Sequence, residues 1–114
     1  MEIGEVARLL DADVLIGDEA LNRDVKFACG SDLMSDVLAF VEDGTLLLTG
    51  LTNHQVIRTA EMIDVFAIVF VRGKVPTQEI IDMAKERNII LMSTDYTLFE
   101  ACGILYQAGL KGKV

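Results

Sequence analysis

The chain has 114 residues, room for one domain and too few for two. Its net charge of −8 and pI near 4.4 repel nucleic acid and anionic lipid at long range and argue against binding either. Apolar residues make up 52 % and mean hydropathy is +0.41, enough for a core without metal or disulfide, yet no apolar run approaches the ~20 residues that span a bilayer.

In MEIGEVARLLDAD, Ile3, Val6, Leu9 and Leu10 recur at helical spacing and predict a short first helix. This acidic start lacks the basic-then-apolar pattern of a signal peptide, so the expected location is cytoplasmic. DVLIG, ending at Gly17, and VKFACG read as two short strands separated by a polar loop. That loop is too short for a crossover helix, which predicts a hairpin or two neighbouring edge strands.

From Gly30 onward the pattern becomes regular. SDLMSDVLAFVEDG predicts a helix with Ser31 as N-cap and Gly44 just past its end. TLLLT is a buried strand, and Thr52 to Gln55 match the capping-box pattern that opens the next helix. On that helix Val56, Ala60 and Ile63 share one apolar face. FAIVFV, residues 66–71, is continuously apolar and β-branched or aromatic, as expected of a central strand covered on both sides.

RGKVPT turns the chain, with Pro76 suited to the start of a helix whose inward residues are Ile80, Ile81 and Ala84. IILMS is the last strand, TDYTLFEACGILYQAGL the last helix, and KGKV a frayed basic tail. The alternation of strands and helices predicts an α/β fold: a mostly parallel sheet of about five strands with helices on both faces, in one domain over residues 1–114.

In such a sheet ligands bind outside the carboxyl ends of the strands. Four segments are expected there: Cys29 to Asp32, Thr49 to Asn53, Arg72 to Lys74, and Ser93 to Tyr96. Three precede a helix N-terminus, where free N–H groups and the helix dipole favour an anion, and Arg72 and Lys74 add formal charge. The candidate ligand-binding residues are therefore Thr49, Gly50, Thr52, Asn53, Arg72, Gly73, Lys74, Ser93, Thr94 and Asp95. The same residue types serve as ordinary caps and turns, so this set is a geometric expectation.

No phosphate-loop or dinucleotide fingerprint is present, and the two cysteines, Cys29 and Cys102, fit no metal spacing. Both read as buried apolar residues in a reducing compartment. The single histidine, His54, lies beside Asn53 at a helix start, and only Ser93 or Asp95 offers it a catalytic partner. No catalytic residue, metal or cofactor is assigned.

The last helix is apolar over more than half its circumference, wider than packing on a sheet requires. Residues 33–41 show a similarly broad apolar face. The excess predicts a homodimer, with Leu98, Phe99, Cys102, Leu105 and Tyr106 as the candidate interface.

The stretch from Thr45 to Leu110 resembles the DRTGG domain family through the strand TLLLTG, the helix VIRTAEM, the strand IVFVRGK, the helix EIIDMAKERN, the strand IILMST and the segment Tyr96 to Phe99. Domains of this family look like the N-terminal domain of HPr kinase/phosphorylase and accompany catalytic domains in some pyrophosphatases and phosphotransacetylases. The resemblance implies a non-catalytic regulatory or assembly module. With the geometry of the strand ends, the expected role is to sense a small anionic metabolite or nucleotide there, or to dock on a partner enzyme. A small enzyme is the remaining alternative. The name-giving residues are not kept: the Asp-Arg pair falls near Leu51 and Thr52, and Thr-Gly-Gly falls near Arg72 to Lys74, where only Gly73 matches.

Overall fold

Three apolar runs become the centre of the sheet. In the computed structural model, which describes residues 1–113, they form β3 (Thr45–Thr49), β4 (Ala67–Phe70) and β5 (Ile90–Ser93), every residue of which is buried. Two half-buried strands flank them: β1 (Asp13–Ile16) and β2 (Phe27–Gly30). The order is β1-β5-β4-β3-β2, parallel throughout except for β1, which runs antiparallel to β5.

The expected adjacency of β1 and β2 is thus overturned, because they occupy opposite edges. Strands with one apolar face suit edges, while the all-apolar runs need cover on both sides and take the middle. The connection between β1 and β2 passes a single 3-10 turn at Asp18–Ala20 and is tied to the start of the chain. Ile3 and Gly4 amides donate to the Arg23 and Leu21 carbonyls at 2.9 and 2.8 Å.

Five helices cover the sheet: α1 (Ile3–Leu9), α2 (Met34–Phe40), α3 (His54–Met62), α4 (Gln78–Glu86) and α5 (Leu98–Gln107). Side chains alternate along each strand, so each central strand feeds two cores. Leu46 and Leu48 of β3 pack with Ile3, Val6, Ala101 and Leu105 of α1 and α5. Leu47 packs on the other face with Val37, Val56, Ile57, Ile80 and Ala84 of α2, α3 and α4.

Two helix starts differ from expectation. α2 begins at Met34, because the Ser31 hydroxyl accepts from the Leu33 amide at 3.0 Å and closes a turn before the helix. The α3 cap is Asn53, whose Oδ1 accepts from the Val56 amide at 3.2 Å; Thr52 lies one residue too early for the reciprocal capping pair with Gln55. The tail expected to fray, KGKV, is tied down over its described residues: it follows the buried Leu110, and the Lys111 carbonyl accepts from the Ala28 amide at 3.0 Å, while Val114 lies outside the described residues.

Candidate functional site

The four segments expected at the carboxyl edge do converge there. The loops after β4 and β5 lead to helices on opposite faces, a divergence that ordinarily opens a ligand crevice. Here backbone hydrogen bonds stitch it shut. The Arg72 amide donates to the Tyr96 carbonyl and the Gly73 amide to the Thr94 carbonyl, both at 2.8 Å. The Ser93 hydroxyl donates to the Lys74 carbonyl at 2.8 Å. The Thr94 hydroxyl turns away and donates to the Leu10 carbonyl at 2.7 Å.

Next to this seam the chain supplies its own anion. Asp32 Oδ1 accepts from the Thr49 hydroxyl at 3.0 Å and from the Gly50 amide at 2.7 Å. These donors, with Asn53 at the helix start, are the ones an external phosphate would have used. A buried donor left unpaired is costly, so folding recruits the nearest acceptor. Asp32 lies in one of the four segments expected at this edge. Nothing in its local pattern signals a partner 17 or 18 residues away.

Of the ten candidate ligand residues, Thr49, Gly50, Asn53, Ser93 and Thr94 therefore have structural partners, and Thr52 is half-buried. Arg72, Gly73, Lys74 and Asp95 remain exposed around one spot. The Arg72 guanidinium lies over Gly50, in the space a Cβ there would take. Asp95 Oδ1 approaches within 3.1 Å of the position a Gly73 Cβ would occupy. Arg72 has φ +59, and Gly73 follows at +67. An arginine in the left-handed region is uncommon. Asp64 and Asn88 share that conformation just past the ends of α3 and α4, where caps explain it. At Arg72 a tight turn explains it: Arg72 and Gly73 are its two central residues, and the Lys74 amide closes it by donating to the Val71 carbonyl at 3.2 Å.

His54 pairs with Glu79 rather than with Ser93 or Asp95: Nε2 lies 2.9 Å from Glu79 Oε1, with both side chains exposed. The Ser93 hydroxyl is committed elsewhere, so the expected nucleophile–base pair is not assembled. Cys29 and Cys102 are half-buried free thiols rather than fully buried ones. Burial pushes both thiols up, helped by the nearby Asp36 charge for Cys29 and by Cys29 for Cys102. Little thiolate forms at neutral pH, which makes both poor nucleophiles.

On α5 the expected interface residues separate. Leu105 lies in the core at 0 % exposure and is withdrawn as a contact residue, because its side of the helix faces the sheet. Leu98 is half-buried against the same core. Phe99 and Tyr106 stand 84 % and 60 % exposed. With Cys102 and Gly103 they line a shallow hollow of about 590 Å³. Their spacing of three, four and seven residues places all four on one stripe. The other broad helix resolves similarly: Met34 and Val37 are buried, while Leu33, Leu38 and Phe40 are exposed.

Among the described residues no helix is long and apolar enough to cross a membrane, and no cluster of three or more His, Cys, Asp or Glu could hold a metal ion. No curated protein matches the sequence. A crystal structure of the CBS and DRTGG domains of the regulatory region of Clostridium perfringens pyrophosphatase, complexed with the activator diadenosine tetraphosphate, has the same fold, with a TM-score of 0.74 at 19 % identity. The alignment covers 94 % of this chain but 46 % of that one, so the chain spans less than half of that regulatory region. The family model for the DRTGG domain matches residues 5–108, nearly the whole chain and well beyond the part whose sequence resembles it by eye. The chain belongs to the DRTGG domain family.

Proposed function

We propose that this chain is a non-catalytic regulatory module in one domain that acts as a homodimer joined through α5. The observation that carries the reading is the stripe Phe99, Cys102, Gly103 and Tyr106, which holds no acidic residue although the chain carries −8 overall; the charge that borders it is the Lys111 ammonium, over the Tyr106 ring. Two copies of so acidic a chain repel unless they meet where negative charge is missing. The stripe offers a projecting ring at Phe99 beside an empty notch at Gly103, around which a Cβ would meet nothing within 4 Å. A projection beside a hollow is self-complementary under two-fold symmetry, the commonest arrangement of soluble oligomers. Regulation is supported by the family, one member of which lies in a pyrophosphatase regulatory region complexed with a nucleotide activator.

Light scattering on the purified chain is expected to give twice the mass of a monomer. Phe99→Asp puts a charge into the contact and is expected to weaken dimerisation by about 100-fold, with an unchanged circular dichroism spectrum because Phe99 supports no core. A monomeric wild type would end this reading.

A second reading, that the carboxyl edge senses a small anionic metabolite or nucleotide, is favoured by the exposed Arg72 guanidinium, which lies over Gly50 a few residues before the start of α3. Arg72 and Lys74 are the free cations there, while the neighbouring donors already serve Asp32. A panel of phosphate, ATP and diadenosine tetraphosphate is expected to raise the melting temperature of the wild type and not that of Arg72→Ala. Equal shifts in both proteins, or none in either, would remove Arg72 from the argument. Docking on a partner enzyme is served by the same two surfaces.

A further inference from the structure

The edge strand β2 is paired with β3 on one side only. An open edge offers outward backbone donors and acceptors to any extended chain, and folded proteins cover or charge such edges. Here the chain provides the cover itself. After α5, Gly109 takes φ +108, Leu110 enters the core at 4 % exposure, and residues 111–113 turn back along β2. The Ala28 amide donates to the Lys111 carbonyl at 3.0 Å. Gly112 lies so close that a Cβ there would stand 3.6 Å from the Ala28 carbonyl oxygen.

Two lysines finish the attachment. The Lys113 ammonium pairs with Glu42, in the loop that follows α2. The Lys111 ammonium donates to the Tyr106 carbonyl at 2.8 Å and sits 3.5 Å from the centre of the Tyr106 ring. Beneath the segment lies a hollow of about 150 Å³ whose lining includes Phe27, Cys29, Phe40 and Val41. Past the buried Leu110 the hold is weak. One backbone bond, one ion pair whose groups are about half exposed and the Lys111 contacts with Tyr106 contribute little each, so residues 111–113 are replaceable.

We propose that the outer edge of β2 is a strand-addition site for an extended, lysine-bearing segment of a partner protein, occupied here in cis by the chain's own residues 111–113. The resident strap defines the chemistry the site accepts. It wants a backbone carbonyl opposite the Ala28 amide, a small residue where Gly112 crosses the strand, and an ammonium group for Glu42. Main-chain bonds supply affinity in this mode of recognition, and the flanking charge supplies selection. A basic segment is also the one that the field of an acidic chain attracts. The strap borders the α5 stripe, since Lys111 lines the hollow there, but the edge it covers is a separate surface.

The test uses the full chain with Lys111→Glu and Lys113→Glu together, which repels the strap from Glu42 and leaves the edge intact. Both lysines are exposed and lie outside the core. A fluorescent peptide with the sequence of residues 109–113 is titrated by polarisation at low salt. The variant is expected to bind it about tenfold more tightly than the wild type, because a competitor held at high effective concentration has been removed. Adding Glu42→Lys is expected to erase that gain. Amide exchange at residues 27–30 is expected to quicken in the double variant and to slow again with peptide. Equal affinity of wild type and variant, no binding by either, or a gain that survives Glu42→Lys overturns the proposal.

Discussion

Phe70→Ala is expected to lower the unfolding free energy by about 3–5 kcal/mol, a large part of the stability of a domain this size. Phe70 is among the largest fully buried side chains and sits on the central strand β4, opposite Thr49 on one neighbour and Ser93 on the other. Its ring belongs to the core shared with α2, α3 and α4, where Val56, Ile57, Ile80 and Ala84 are also buried. Those helices are anchored at both ends by chain that enters or leaves the sheet, so they collapse poorly into the space an alanine leaves. The loss should appear in urea as a lower midpoint with an unchanged slope. A change under about 1 kcal/mol would mean that the α2–α3–α4 face is packed far more loosely than it is described above.

Gly17→Ala is expected to cost roughly 2–4 kcal/mol, although it adds one methyl group at the edge of the sheet. Gly17 has φ +95, a conformation that side chains other than glycine rarely take. The added Cβ would also lie 2.8 Å from Ile90 Cγ1 and 3.2 Å from Ile90 Cα. A side-chain tip could swing aside, but a Cα in a paired strand cannot. Ile90 is held in register with Ala67 of β4, and its amide donates to the Phe66 carbonyl at 2.7 Å. Relief therefore requires β1 to peel from β5, which thermal melting and amide exchange over residues 13–16 would both report. A variant that melts with the wild type would show that β1 adjusts freely.

These two residues show what kind of information each level carries. The continuous apolar runs around Leu47, Ile68 and Leu91 announced buried strands, and the helical spacing of Val56 with Ala60 and of Ile80 with Ala84 announced the helices between them. The structure keeps all of these elements. The residues that carry candidate function were less legible. Leu105 and Phe99 look alike on a helical wheel of a mostly apolar helix, yet one is in the core and the other in solvent. A wide apolar face does not say which of its edges the sheet takes. The donors at Thr49 and Gly50 looked free until Asp32 was seen against them.

By itself, then, the amino-acid sequence determined the element types and the alternation behind the three parallel crossovers, because propensity and periodicity are settled among residues within a few positions of one another. Only the tertiary structure decided that β1 and β2 lie at opposite edges, that Asp32 occupies the would-be anion donors, and that residues 111–113 strap the β2 edge. Each of these depends on a donor meeting an acceptor from a distant part of the chain. The Thr94 hydroxyl and the Leu10 carbonyl, 84 residues apart, are the longest-range case. Local patterns cannot encode such meetings, because hydrogen-bond partners are selected by what the packed core brings within reach.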